Sequence, residues 1–357
     1  MTRRLSNAAA AFQLLRGSVG GSPSRLPYRV TRAQTAFLKS RSIYSLHALA
    51  TGGDEPWQRA CDQVWEIQAQ ETHRAVSALI ANGVRTLTFK GSELVWRYFG
   101  GRALDVGGDA DLLVPRGQID EAKAVLYGLG FRQAEFDPAT GGLVPRDVAR
   151  VAALEGRHYE LAPFVKAVEL PQEPELVELA RARNRAPLHL VGEVAMLVME
   201  IDVHHNVATD TDVSGFFDRA VASSLGVGET LSPADHLWLN LSRYYNEVGI
   251  HGLESLRPIA YTLPLLTRDE INWSTVVSSA RELALGPTLH YPLDLCARLA
   301  PGSVPDDALK GIASSADSRI RDWGWQLGKP FGFHEEFPSY AFRPATGEPE
   351  DVPARRR

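Results

Sequence analysis

Apolar residues recur at a helical period over residues 55–81, where Trp57, Ala60, Val64, Ile67, Ala75 and Leu79 mark one face, and Asn82-Gly83 should end the helix. Residues 84–89 read as a strand, and Lys90-Gly91-Ser92 turns it into a short helix carrying Leu94, Val95, Tyr98 and Phe99. A glycine-rich loop over 100–108 leads into a second strand at 110–114, stopped by Pro115. Residues 118–129 form an amphipathic helix, with Ile119, Ala122, Val125, Leu126 and Leu129 on one face and Gly128 and Gly130 closing it. Further strands are expected at 131–135 and around 158–161, with a loop over 137–157 between them. Residues 171–192 read as a proline-rich, charged connection holding one helix.

From Ala195 the chain is apolar, then alternates through Glu200, Ile201, Asp202, Val203 and His204. A period of two puts Glu200, Asp202 and His204 on one face of a strand and the two aliphatic residues on the other. After Asp218 the pattern is helical. Ser232-Pro233-Ala234-Asp235 supplies a cap, a first-turn proline and an acid, and Thr267 with Glu270 forms a similar capping box. Helices are expected at 253–266, 269–285, 287–299 and 306–327. The chain divides into a basic arm at 1–54, a core with its leading helix at 55–215, a helical domain at 216–335 and a frayed tail at 336–357.

With 44% hydrophobic and 23% charged residues the protein has ordinary globular composition, and its 357 residues exceed one small domain. The net charge of -5 conceals an asymmetry, because residues 1–53 carry eight Lys or Arg and no acid. Such an arm suits a solvated extension with one helix or two, an acidic partner, nucleic acid, a membrane surface or a targeting segment. No apolar run is long enough to span a bilayer. Cys61 and Cys296 have neither metal-ligand nor disulfide-framework spacing, so both read as structural and a cytoplasmic location is expected.

Asp109 and Asp111 stand two apart on a strand and project on the same face, a pair that becomes useful around a hard divalent cation. Gly107 and Gly108 leave room for a bulky anion. The Gly91-Ser92 turn can offer backbone N–H groups and a helix start to a triphosphate. Asp202, on a separate strand, can complete the metal site. His204 shares its face and is suited to orienting Asp202, contacting substrate, or a structural role. Tyr244-Tyr245 and Trp323-Gly324-Trp325 read as helix-packing aromatics, with base stacking the alternative.

Together the stretch 88–92, the Arg102 loop, Asp109 to Val114, the helix ending in Leu129-Gly130-Phe131, and Glu200 to His204 resemble the bacterial uncharacterised nucleotidyltransferase family of the DNA polymerase beta superfamily. The resemblance covers roughly residues 80–300, including Ser232-Pro233 and Trp273 in the helical part. It implies an α+β fold, a mixed sheet flanked by helices with a helical C-terminal domain. It implies further that Gly91 and Ser92 contact the triphosphate, that Asp109 and Asp111 ligate two metals, and that Asp202 ligates the metal serving the acceptor. Lys90 and Arg102 match basic positions of the family and would neutralise phosphate charge, with surface ion pairs as the alternative.

The reaction expected is transfer of a nucleoside monophosphate from a triphosphate such as ATP to an unidentified acceptor, a small molecule, peptide, protein or RNA, using two Mg²⁺ or Mn²⁺ ions. An Asp-x-Asp glycosyltransferase would explain Asp109 and Asp111 but leaves Gly91-Ser92 and Asp202 without a task. A non-catalytic binding module of the same fold is the other rival, and the presence of all three acids argues against it.

Overall fold

The computed structural model describes residues 6–19, 30–51, 55–207, 212–249, 251–314 and 324–332. The tail at 336–357 and Trp323 lie outside the described residues. Three helices precede the core: α1 (Asn7–Ser18), capped by the Ser6 hydroxyl, α2 (Arg32–Ser40), opened by a Thr31/Gln34 capping box, and α3 (Tyr44–Thr51). The described part of the basic arm is therefore helical, as an extension with one helix or two would be, but packed on the rest of the chain. Ala11, Leu15, Leu38 and Ile43 are fully buried, Phe12 stacks on Phe331 with ring centroids 4.4 Å apart, and the Arg41 carbonyl accepts the Leu256 N–H at 2.9 Å. Among its described basic residues Arg32 is exposed on α2, Arg41 pairs with Glu254 and Lys39 lies over the Tyr44 and Trp57 rings, so a count of charges does not record the apolar faces between them.

The leading helix α4 (Pro56–Ala81) starts on a proline and ends in a Schellman motif. Gly83, at φ 78°, donates to Ile80 O, and Val84 donates to Leu79 O, both at 2.9 Å. That cap consumes Val84, so the next strand, β1 (Leu87–Phe89), is shorter than the apolar run. α5 (Gly91–Phe99), β2 (Asp109–Leu113) and α6 (Ile119–Gly128) follow where expected.

The loop expected over 137–157 instead holds structure. β3 (Ala134–Asp137) and β4 (Gly142–Pro145) form a hairpin, and α7 (Val148–Glu155) is capped by the Asp147 carboxylate, which accepts Arg150 N–H at 2.8 Å. No residue of α7 is buried, although Val148, Val151 and Ala152 stand at helical spacing. The strand expected at 158–161 shrinks to one bridge between Glu160 and His204, and the edge strand lies just beyond Pro163, as β5 (Phe164–Glu169). α8 (Pro174–Arg183) and β6 (Leu188–Val191) fill the connection, and β7 (Val194–His204) is the long central strand.

α9 (Ser214–Asp218), β8 (Val221–Ala222) and β9 (Glu229–Thr230) lead into the helical half: α10 (Pro233–Gly249), α11 (Arg257–Arg268), α12 (Trp273–Glu282), α13 (Gly286–Leu299) and α14 (Asp306–Ala313). Thr267 caps nothing. It sits inside α11 with its hydroxyl on Leu263 O, and Asn272 caps α12 instead, accepting Thr275 N–H at 3.2 Å. A 3-10 segment, Gly324–Phe331, ends the described chain. Tyr244 and Tyr245 are buried in the helical core, which leaves no ring face for a base.

The sheet runs β5-β7-β2-β1-β9-β8, with β6 also paired to β7. β2 and β7 are parallel, β1 and β2 antiparallel, so this is a mixed α+β sheet flanked by helices. No described helix is long and apolar enough to cross a membrane.

Each large apolar side chain buried contributes about 1.5–3 kcal/mol. Losing Phe12, Leu14, Leu15, Leu38, Ile43 and Leu46 would remove on the order of 10 kcal/mol, comparable to a whole domain's stability. Deleting residues 1–53 should therefore give an insoluble or molten protein in circular dichroism melts. A truncated chain with an unchanged cooperative melt would show the arm to be peripheral.

Candidate active site

Register decides which side chains meet. In the parallel β2–β7 ladder Asp109 stands opposite Glu200, Asp111 opposite Asp202 and Leu113 opposite His204. Opposed residues point to the same face, so four carboxyl groups and an imidazole share one surface of the sheet. Between them Ala110, Leu112, Ile201 and Val203 are buried on the other face and fix the strands. Ligand atoms of Asp111, Asp202 and His204 all lie within 4.8 Å of one another.

Lys90 enters this surface from the end of β1. Its φ of 57° is a strained choice for a residue with a side chain, costing about 1–3 kcal/mol, and three contacts hold it. Its N–H donates to His236 Nε2 at 3.2 Å, its carbonyl accepts Leu94 N–H at 3.0 Å, and its ammonium rests on Asp111 Oδ1. Burial, aided by the Arg97 charge, pushes His236 down to about 3, so this ring is a neutral acceptor. Gly91 and Ser92 then open α5, whose first N–H groups lack intrahelical partners. Ser92 lines a small void together with Gly108, Asp109 and Glu200, which brings the turn beside the carboxylates.

The charges are unevenly balanced. Burial would raise the Asp111 carboxyl, but the Lys90 ammonium and a 3.1 Å hydrogen bond from His204 Nε2 hold it well below the usual range. Burial lowers His204 despite that acceptor, which keeps the ring neutral with Nε2–H directed at Asp111. Its Nδ1 is buried without a hydrogen-bond partner, 3.6 Å from Glu160. Asp109 keeps solvent contact at the start of its strand yet is walled by protein, and that desolvation, then Asp111, raises it. Glu200 is raised by burial and by Asp109. Asp202 is pushed from 3.8 to about 8, by burial first and then by Asp111, Glu200 and Asp109.

Of the residues singled out in the sequence, Lys90, Ser92, Asp109, Asp111, Asp202 and His204 come together. Arg102 does not join them: it is exposed, and its Nε lies 2.7 Å from Asp62 of α4. The structure adds residues that sequence reading missed. Glu200 was visible in the alternation. Arg243, paired with Glu247 at 2.9 Å, is raised despite its burial, in part by the field of Asp111. A Cβ on Gly107 would lie 3.9 Å from Arg257 Nη1, which sets that guanidinium against the loop leading to Asp109. Neither arginine carries a local signal, because both sit in ordinary helix sequence.

A strand, glycine turn and helix set against a two-carboxylate strand, with a third acid on its parallel neighbour, define a nucleotidyltransferase-type core. A family model described as "Uncharacterised nucleotidyltransferase" matches residues 55–301, more than half of the chain, and the protein belongs to that family of transferases. No curated protein and no solved structure matches the chain.

Because Asp202 ionises near 8 when folded and near 3.8 otherwise, the native state binds an extra proton between those values. Stability therefore falls as pH rises through that window, and the penalty is complete above it. In metal-free buffer Asp202→Asn should melt higher than wild type at about pH 8.5, with the advantage vanishing toward pH 4. An equal difference at both ends in scanning calorimetry would refute this account of the carboxylate cluster.

Proposed function

We propose that the protein transfers a nucleoside monophosphate from a nucleoside triphosphate to an acceptor and releases pyrophosphate. In this reading two divalent cations, Mg²⁺ or Mn²⁺, are held by Asp109, Asp111 and Asp202. The observation that carries the reading is the register of β2 on β7, which sets Asp111 beside Asp202 and Asp109 beside Glu200. Oxygen donors grouped this tightly suit hard cations, and an Asp202 carboxyl displaced to about 8 lacks a compensating positive charge. Bound there, the cations would neutralise phosphate charge and stabilise the attacking and leaving oxygens.

The chain's own residues have separate tasks. Gly91 and Ser92 offer backbone N–H groups at the start of α5 to the phosphate chain. Gly91 tolerates the approach because it has no side chain, and its backbone is not in the left-handed region. His204 acts as a positioning residue, its Nε2–H fixing the Asp111 carboxylate. Lys90 balances Asp111 and, with a cation sharing that carboxylate, would be free to pair with a phosphate oxygen. The acceptor approaches on the Asp202 side, where Tyr159 and Glu160 border the cluster.

The test is release of pyrophosphate from each labelled triphosphate with Mg²⁺ and a cell lysate as acceptor source. Asp109→Asn removes a charge its surroundings disfavour, so it should keep the fold while lowering transfer by at least about 100-fold, the scale of losing one preorganised charge-stabilising group. Free nucleoside diphosphate as the product, or near-normal turnover in Asp109→Asn, would defeat the proposal.

A further inference from the structure

Most arginines around the core already have carboxylate partners. Arg183 pairs with Asp105, Arg97 with Asp269 at 3.1 Å, Arg219 with Asp235 through two bonds of 3.0 and 2.9 Å, and Arg243 with Glu247. Arg257 is different. It is half-buried at the first turn of α11, and among the described residues its guanidinium makes no hydrogen bond or ion pair. Tyr261, Asp105, Asp109 and Glu247 act on it only through space, and Asp105 and Glu247 are already paired with Arg183 and Arg243. A guanidinium withdrawn from water without acceptors is costly, and its planar fork fits phosphate oxygens.

The helix carrying it is held in place. Arg268 donates to Tyr98 O at 3.0 Å, Asp269 accepts from Arg97 and Tyr98, and Tyr261 packs on Phe99 with centroids 6.1 Å apart, so α11 is stapled along α5. Arg257 and Tyr261 are four residues apart and share a face. That face covers both ends of the expected phosphate site: a Cβ on Gly91 would lie 4.0 Å from the Tyr261 ring, and one on Gly107 3.9 Å from Arg257 Nη1. Arg257 therefore lies against the loop that leads to Asp109, while Tyr261 on the same face lies against the α5 N-terminus.

We infer that Arg257 is a ligand for the substrate's phosphate chain, so that the helical domain adds a second cation to the Lys90 that the sheet domain supplies. The inference rests on the nucleotidyltransferase reading, and binding of inorganic tripolyphosphate with Mg²⁺ to the full chain, followed by calorimetry, separates the two. Wild type should bind it, Arg257→Gln should bind about tenfold more weakly or worse, the scale of losing charge-assisted hydrogen bonds, and Arg257→Lys should recover part of the loss. The recovery distinguishes lost phosphate contact from lost packing, because Lys keeps charge and length but not the fork. Equal affinity in wild type and both variants would overturn the role of Arg257 alone. No binding by wild type at millimolar tripolyphosphate would overturn this inference and the nucleotidyltransferase reading together.

Discussion

Parallel pairing of β2 with β7 in one register is the constraint from which the site follows. It sets Asp109, Asp111, Glu200 and Asp202 on a common face, and four carboxyl groups so close repel one another unless protons or cations intervene. The other face answers the question of how they stay there. Ala110, Leu112, Ile201 and Val203 are buried, and a slip of one residue would turn these aliphatic side chains to solvent and the acids into the core. The hydrophobic effect thus holds an arrangement that electrostatics alone would disperse.

Local compensation is partial and concentrated on Asp111. Lys90 and His204 converge on it, and the fold accepts an uncommon backbone conformation at Lys90 to bring the ammonium there, anchoring its N–H on a neutral His236 from α10. Asp202 has no such partner among the described residues, and its displaced ionisation reflects burial beside other acids without a compensating positive charge. One carboxylate is charged and oriented while its neighbour keeps a proton up to about pH 8. This asymmetry matches a site in which one group is prepared and another responds to what binds.

The helical half is more than a cover. Through α10 it supplies His236 to the Lys90 turn and Arg243 to the field around Asp111, and through α11 it brings Arg257 against the Asp109 loop. The N-terminal helices brace that half, with α1 lying on α11 and Leu256 bonded to Arg41 O. Lys90, the cation on Asp111, comes from the end of the neighbouring strand β1, whereas Arg243 and Arg257 come from far along the sequence.

By itself the sequence determined those features in which one strand or one turn carries the whole message. Alternation through Ile201, Asp202, Val203 and His204 gave the direction of the acids, Gly91-Ser92 after an apolar run marked the turn, and Asn82-Gly83 and Ser232-Pro233 placed helix ends, because periodicity and capping are local. It misplaced α7, which buries nothing, the edge strand β5, whose partner lies some thirty residues away on β7, and the Thr267 cap. Only the tertiary structure decided that Asp111 meets Asp202 rather than Asp109 doing so, that Arg102 belongs to Asp62, and that Arg257 lies against the Gly107 loop. Strand register and helix docking are settled by the burial of faces contributed from distant parts of the chain, and no local pattern records which faces those will be.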